Sequence, residues 1–455
     1  MTPRFRLFRN LTSLVGVVLV TTSALLFLIM FLADLFGLHT NPYIGIIFFL
    51  IIPGIFVFGL VLIPIGAWLA RRRERHGHLQ PPHWPRLDLG DPIQRRAAFI
   101  FLMLTLANIT IVSLATYRGV EYMDSVQFCG QACHTVMKPE FTAYQDSAHS
   151  RVACVQCHIG PGATWFAKSK LSGTRQIFAV TFKTYSRPIP SPVQELRPAR
   201  DTCEQCHWPE KFHGDKIRRV VEFAEDEKNT ESVTTLQVHV GGGSEKIGVA
   251  QGIHWHMNLA NEVEYIATDD KRQVIPWVRV KDRFGKVREY TAEGVTAEQL
   301  AKGERRRMDC MDCHNRPSHA IAATPERAVN ELMARGDIPK TLPFIRREAV
   351  KALKAAYPDQ DAADREISRT LREFFRAQSP STYMTSRQDV ERAVQATTGI
   401  YRRNVFPEMN VQFGTYPNNI GHMDFPGCFR CHDDNHKSKD GKAIGQDCDS
   451  CHKIE

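Results

Sequence analysis

The sequence has no cysteine outside one repeated arrangement, and it has no long apolar run after Tyr117. All 12 cysteines of the 455 residues fall into pairs, and a histidine directly follows every pair. Disulfide bonds give no reason for those histidines, so the pattern argues against a disulfide framework. The lack of later apolar runs confines any membrane-spanning part to the first quarter of the chain.

Six short units contain all of these cysteines. Five have the spacing Cys-x-x-Cys-His, and the first has one extra residue between its cysteines. Such a pair suits two thioether bonds to a porphyrin, and the adjacent imidazole suits its iron, whereas a zinc site, the alternative, would draw four ligands from two units. The sequence therefore predicts six covalently attached haem c groups, at Cys129/Cys133/His134, Cys154/Cys157/His158, Cys203/Cys206/His207, Cys310/Cys313/His314, Cys428/Cys431/His432 and Cys448/Cys451/His452.

Residues 1–118 predict a membrane anchor, which the average composition of 43% hydrophobic residues and a net charge of +9 conceals. Three stretches are long enough as helices to cross about 30 Å of hydrocarbon, at 11–36, 43–70 and 97–117. The first is too long for the apolar core of a cleaved signal peptide. Arginines precede the first span and crowd the second connection, so the positive-inside rule predicts a multi-pass protein of the bacterial inner membrane with its haem domain in the periplasm. The same rule explains these arginines without a nucleic-acid partner.

The part beyond the anchor divides into three predicted regions. Residues 119–230 contain the first three haem sites, and residues 231–300 alternate apolar and polar positions, which predicts a small β insertion. Residues 301–455 contain the last three sites and a helical spacer at 324–402, where Thr324 caps a helix that begins at Pro325. The predicted fold is an α-rich, membrane-anchored multihaem cytochrome with three transmembrane helices and a mostly helical or irregular haem domain. Because haem replaces much of a core, we expect the haem-free chain to be unfolded outside the membrane.

A low-spin haem iron needs a second axial ligand, most often a histidine in packed multihaem proteins. Histidines outside the motifs are plentiful after residue 118. His213 and His239 are the weaker candidates. The favoured distal ligands are His149, either His254 or His256, His319, His422 and His436.

Residues 128–158 resemble the NapC/NirT family of membrane-anchored, quinol-oxidising cytochromes in Phe128, the first haem site, Met137, Tyr144, His149 and the second haem site. They depart from it in the wider first cysteine pair and in Met137, which follows His134 by three residues where the family usually has two. The resemblance implies that either His134 or Met137 binds the first iron. It also implies a lysine near the quinol after the second site, for which Lys168 and Lys170 are the candidates. Binding of anionic lipid headgroups is the alternative for this basic, aromatic stretch.

The resemblance implies quinol dehydrogenase activity in anaerobic respiration, with menaquinol or ubiquinol as donor and periplasmic cytochromes or reductases as acceptors. Only about a dozen residues, or about 18 Å of helix, separate Tyr117 from the first haem site, which places that site near the lipid. Three spans and six or seven haems also resemble the inner-membrane cytochromes of metal-respiring bacteria, although no paired motif accounts for a seventh haem. The alternatives are a terminal reductase of nitrite or a similar oxyanion and its passive anchor subunit. The Cys-x-x-Cys-Lys motif usual in multihaem nitrite reductases does not occur.

Overall fold

The computed structural model describes residues 11–35, 52–76, 90–132, 134–160, 162–193, 197–208, 211–241, 252–257, 261–282 and 284–454. The chain divides into two compact units, Met1–Ala132 and Cys133–Glu455. The described part of the first unit contains helices α1 (Leu11–Leu35), α2 (Ile52–His76) and α3 (Pro92–Met123), followed by a π-helical turn, Phe128–Ala132. Helix α3 begins at a proline, and the Asp91 side chain accepts a hydrogen bond from the Ile93 backbone N–H at 2.9 Å.

Helices α1 and α2 pack closely because small residues line their contact. A Cβ on Gly59 would lie 2.9 Å from the carbonyl oxygen of Gly16, and a Cβ on Gly66 would meet Ser13. The Ser13 hydroxyl also donates a hydrogen bond to the Ile63 carbonyl at 3.1 Å. Small residues and interhelical hydrogen bonds are how helices associate in lipid, where no hydrophobic force drives them together.

Two of the described helices are long and apolar enough to cross a membrane, over Leu11–Ile29 and Ile52–Leu69. They lie within the first two predicted spans, of which residues 36 and 43–51 fall outside the described part of the chain. The third predicted span lies within α3, which exposes large apolar side chains such as Phe99, Leu102 and Leu106. That α3 crosses the membrane remains a prediction.

The second unit begins with short helices that contain or flank the haem motifs. These are α4 (His134–Gln145), α5 (Cys154–His158), α6 (Ala163–Thr181) and α7 (Ala199–Cys203). Further along the chain, α8 (Ala297–Lys302) precedes the fourth motif, and α9 (Cys310–Cys313) lies within it. The fifth and sixth motifs contain single 3-10 turns, Gly427–Arg430 and Cys448–Ser450.

Two antiparallel sheets follow the third motif. The smaller has the strand order β1-β2-β8 and the larger β6-β3-β4-β5-β7. The strands are β1 (Asp215–Phe223), β2 (Glu231–His239), β3 (Glu262–Ala267), β4 (Trp277–Lys281), β5 (Val287–Ala292), β6 (Glu304–Arg307), β7 (His436–Ser438) and β8 (His452–Ile454). The β structure therefore extends beyond the predicted insertion at 231–300, and three of its strands, β6, β7 and β8, come from residues 301–455.

A helical bundle without cysteines occupies the predicted spacer. Its helices are α10 (Pro325–Arg335), α11 (Ile345–Lys354), α12 (Gln360–Gln378), α13 (Pro380–Thr385) and α14 (Arg387–Asn404). Ile367, Leu371 and Phe375 follow each other at four-residue spacing along α12 and have no exposed surface. The bundle thus has a core made mainly of its own side chains, joined by Phe223 of strand β1.

Candidate haem sites

The cysteine motifs fold as single helical turns. In three of them the backbone N–H of the histidine donates to the carbonyl of the first cysteine, at His207–Cys203 (2.8 Å), His314–Cys310 (2.8 Å) and His432–Cys428 (3.1 Å). Residues spaced by three and four lie on one face of such a turn. Both thiols and the imidazole of a motif therefore face the same side, as attachment to one porphyrin requires.

Five motif histidines each face a second histidine from elsewhere in the chain. Their ring centres lie 5.9–6.3 Å apart. The pairs are His158 with His319 (6.2 Å), His207 with His149 (6.0 Å), His314 with His254 (6.3 Å), His432 with His256 (5.9 Å) and His452 with His422 (6.1 Å).

This separation fits an iron between two imidazoles. A metal–nitrogen bond of about 2.0 Å on each side, plus about 1.1 Å from each nitrogen to its ring centre, places the centres about 6.2 Å apart. Directly stacked rings would approach more closely, as Phe212 and His254 do at 4.5 Å. The donor set therefore fits haem with two axial histidines at the second to sixth motifs.

Backbone carbonyls orient the distal imidazoles. His254 Nδ1 lies 3.0 Å from the Val240 oxygen, and His319 Nδ1 lies 3.0 Å from the Glu140 oxygen. The same contact joins His256 to Ile253 at 3.1 Å and His149 to Pro317 at 3.3 Å. A carbonyl only accepts, so Nδ1 carries the proton and Nε2 keeps its lone pair for a metal.

Burial also favours the neutral imidazole that binds metal. It lowers the pKa of His319 to about 4 and lowers the pKa values of His254 and His256. Around His319, the guanidinium of Arg316 stacks 4.0 Å over the Tyr416 ring and donates through Nε to the His319 carbonyl at 2.7 Å. These contacts fix the loop that presents His319.

His436, a candidate distal ligand from the sequence, does not share this arrangement in the structure. Its Nδ1 lies 2.8 Å from the Asp433 carboxylate, and its Nε2 lies 2.6 Å from the Ile275 carbonyl. Both ring nitrogens are engaged, and the side chain is buried at 2% exposure. His436 therefore connects the last haem region to the segment just before strand β4. His239 likewise pairs through Nδ1 with Asp215 at 2.9 Å.

The first motif is described only in part. Cys129 lies in the π-helical turn, His134 begins α4, and Met137 is half-buried one turn later. Cys133 and the His134 side chain lie outside what the structure describes. His134 and Met137 therefore both stay as candidate ligands.

Lys168 and Lys170 lie on different sides of α6, because residues two apart on a helix do not share a face. Lys168 is exposed, and its Nζ lies 4.7 Å from the Trp165 ring centre. Three residues further, Leu171 is 75% exposed on the same side. Lys170 is half-buried. The two lysines therefore point in different directions and do not form one binding site together.

Consecutive motifs are neighbours in space. Helix α5 contacts α7, and α7 contacts α9. Thiols of adjacent motifs lie near enough to influence one another electrostatically, among them Cys157 and Cys206, Cys203 and Cys310, Cys313 and Cys428, and Cys428 and Cys451. The second to sixth sites thus form a continuous series in chain order.

The described residues contain neither a disulfide bond nor a cluster of side chains suited to zinc. None of the 11 described cysteines forms a disulfide bond. No group of three or more His, Cys, Asp or Glu side chains in the described ranges is arranged to hold a bare metal ion.

Several residues that orient these sites were not singled out from the sequence. The Phe429 ring stacks on His422 at 4.1 Å, and the Tyr265 hydroxyl donates to the buried Asp312 carboxylate. Phe429 is one of the two residues between the cysteines of the fifth motif, and Asp312 is one of the two in the fourth. An aromatic or acidic residue between the two cysteines of a motif was the only hint in the sequence of these contacts. It could not identify the partner.

Apolar membrane helices joined to repeated cysteine–histidine turns with facing imidazoles define a membrane-anchored c-type cytochrome. Residues 92–189 match the N-terminal region of the NapC/NirT cytochrome c family. The chain is also 43% identical over 448 residues to cytochrome c-type protein ImcH of Geobacter sulfurreducens, an alignment that covers 98% of this chain and 88% of that protein. The chain therefore belongs to the NapC/NirT-type membrane cytochromes, together with this relative, and it binds haem c covalently.

A shorter alignment agrees with this assignment. Over 94 residues the chain is 28% identical to cytochrome c-type protein NrfH of Wolinella succinogenes, which covers 20% of this chain and 52% of that protein. No solved structure matches the chain. The family expected from residues 128–158 is confirmed.

Proposed function

We propose that this chain oxidises a membrane quinol and passes the electrons through six haem sites to carriers outside the cytoplasm. The observation that carries the proposal is the continuous series of five facing histidine pairs, with ring centres 5.9–6.3 Å apart. Haem bound at such sites supplies reversible one-electron chemistry.

The paired histidines favour electron transfer over reduction of a substrate at iron. The two facing imidazoles would hold an iron on both sides at the second to sixth sites, and a substrate would then find no open position there. A terminal oxyanion reductase needs at least one open position. The first site, with either His134 or Met137 as ligand, is the one place where the donor is expected to bind.

Lys168 is the stronger candidate for holding the quinol head. Its ammonium group can donate to a quinol oxygen, while Leu171, Phe178 and Phe182 supply exposed apolar surface along the same helix and just beyond its end. A quinol combines a polar head with an apolar tail, so it suits this surface. Lys170, on another side of the helix, is the alternative.

The donor is menaquinol or ubiquinol, and the acceptors are periplasmic cytochromes or reductases. The arginines at 71–73, in the last turns of α2, favour a cytoplasmic location for that end of the helix. The haem region then lies in the periplasm of a cell with two membranes, anchored to the inner one by three spans. This topology gives the donor access from the lipid and the acceptor access from water.

The test uses the full chain in vesicles with a menaquinol analogue, and follows the haem absorption bands by stopped flow. The unmodified protein is expected to be reduced. Lys168→Gln should slow reduction by quinol at least 10-fold and leave reduction by dithionite unchanged, while Lys170→Gln should have a smaller effect. Absence of reduction by the quinol in the unmodified protein would overturn the proposal and favour a passive anchor.

A second measurement separates electron transfer from terminal reduction. Intact mass should show six haem groups on the chain, and EPR of the oxidised protein should show low-spin iron at the five paired sites. Rapid reoxidation of the reduced protein by nitrite, without an added carrier, would favour the reductase instead.

A further inference from the structure

Arg430 is the variable residue before the second cysteine of the fifth motif, Cys428-Phe-Arg-Cys-His432. Its side chain is almost completely buried, at 8% exposure. Long basic side chains are seldom buried in proteins without a compensating partner. A buried arginine inside a haem attachment motif therefore needs a physical explanation.

Three nitrogens of this guanidinium donate to three separate segments of backbone. Nε donates to the Gly427 carbonyl at 2.8 Å, and Nη1 donates to the Arg272 carbonyl at 2.8 Å. Nη2 donates to the Asp312 carbonyl at 2.7 Å. Asp312 lies between the two cysteines of the fourth motif, so one side chain joins the fourth and fifth haem-attachment turns.

The Asn419 side chain supports the same junction. Its Nδ2 donates to the Asp312 carbonyl at 2.9 Å, and its backbone N–H donates to Asn315 Oδ1 at 3.0 Å. Asn315 directly follows the histidine of the fourth motif. The two attachment turns are thus held in a fixed relation by side chains that reach only backbone or amide oxygens.

The charge of Arg430 has no carboxylate partner within salt-bridge distance in the described part of the chain. Arg272 provides the contrast, because its guanidinium lies 3.2 Å and 3.3 Å from the two Glu304 oxygens. The Arg430 guanidinium lies near Cys313, Cys428 and Cys431, which are attachment cysteines of both motifs. Removing a cation from water costs free energy that a neutral side chain of equal size would avoid.

We propose that Arg430 is a positioning residue that sets the spacing of the fourth and fifth haems and raises the reduction potential of both. The net charge of an iron porphyrin falls by one when it takes up one electron, so a nearby fixed positive charge stabilises the reduced form. Its three hydrogen bonds hold the two attachment turns together, and its charge makes this pair of haems better electron acceptors. This inference rests on haem occupying the fourth and fifth sites as proposed above.

The test is a potentiometric titration of the full-length protein in detergent, followed by the Soret and α bands and by EPR. Arg430→Met should shift two of the six haems to lower potential. Arg430→Lys, which keeps the charge without the planar fork, should show a smaller shift. Arg272→Met is the matched control, because it removes a buried arginine whose charge Glu304 balances, and it should leave the titration unchanged.

Intact mass is measured first, because it separates the two proposals. Loss of haem from the unmodified protein would defeat the proposed function, whereas six haems with an unshifted titration in Arg430→Met would defeat only the role of Arg430. If Arg430→Met does not acquire all its haems, Arg430→Gln removes the charge and keeps an amide donor, and an unshifted titration there defeats the role equally. A shift of the same size in Arg272→Met would also overturn it.

Discussion

His158 and His319 face each other with ring centres 6.2 Å apart, although the chain between them contains the third and fourth haem motifs. The third motif is also paired with a histidine from a distant segment. His149, which precedes the second motif, faces His207 of the third, with ring centres 6.0 Å apart. The contact between His149 Nδ1 and the Pro317 carbonyl, at 3.3 Å, joins the segments that supply these two distal ligands. The second, third and fourth sites are therefore interdependent.

Replacing His319 should change one haem only. His319→Ala removes the imidazole opposite His158, so one of the five paired haems should become high-spin while the other four stay low-spin. EPR of the oxidised protein and the absorption bands of high-spin haem measure the change. His436→Ala is the matched control, because it removes a buried histidine that hydrogen-bonds Asp433 and Ile275, and it should lower stability by about 2 kcal/mol without changing spin state. An unchanged low-spin signal in His319→Ala would contradict the pairing.

His254 and His256 should act on two different haems. They lie two residues apart on the 3-10 turn Ile253–Met257 and face His314 and His432 respectively. Methionine in place of either histidine should raise the potential of one haem, and the double variant should raise two, because a thioether ligand stabilises reduced iron. Redox titration of the three variants measures this. Single variants that each move the same haem would contradict the assignment.

The five-stranded sheet should lose part of its stability in acid through Glu264. Its Oε2 lies 2.7 Å from Arg305 Nη2 and 2.9 Å from Arg279 Nη1, and these contacts lower the pKa of the carboxyl below its usual 4.5. A lowered folded-state pKa means that the stabilisation is complete above the unfolded pKa and is lost as the pH falls through the folded value. Glu264→Gln should therefore cost about 1 kcal/mol at pH 7 and much less at about pH 3.

Unfolding followed in denaturant at the two pH values tests this prediction. Glu262→Gln is the control on the same strand, because its carboxylate lies 3.8 Å from Lys281 Nζ and should contribute less. A cost for Glu264→Gln that is equal at both pH values would show that packing, and not ionisation, is responsible.

The glycines between α1 and α2 give a test of the anchor. A Cβ on Gly66 would overlap Ser13, whereas a Cβ on Gly54 meets nothing within 4 Å. Gly66→Ala should therefore weaken the pairing of these helices, and Gly54→Ala should be neutral or slightly stabilising. Disulfide cross-linking between the helices in membranes, with cysteines introduced at other contact positions, measures the pairing. Equal cross-linking in both variants would contradict the close approach.

The local part of this architecture was predictable from the sequence. Spacing alone reveals the cysteine turns, and the Thr324 cap followed by Pro325 correctly places the start of α10, whose first turn is capped by the Thr324 side chain at 3.2 Å. Such signals act within a few residues and need no tertiary contact. The candidates for distal ligands could also be named from the sequence, because few histidines remain outside the motifs.

What the sequence could not show depends on contacts between distant segments. In the sequence, His436 looks like the other candidate ligands. Only the structure shows that its Nε2 contacts the Ile275 carbonyl, 161 residues away in the chain. Strands β7 and β8 have only three residues each and gain their structure by pairing with β5 and β2. The role of Arg430 depends on the Asp312 carbonyl, which lies in another motif.

The bundle of α10 to α14 changes the expected fate of a chain that fails to acquire haem. Its centre, with Val329, Ile345 and Phe375 fully enclosed, contains no cysteine and relies on no prosthetic group. Cells with defective cytochrome maturation should therefore accumulate a protease-resistant remnant from this segment while the flanking regions are digested. The size of that fragment would show which part of the chain folds without haem.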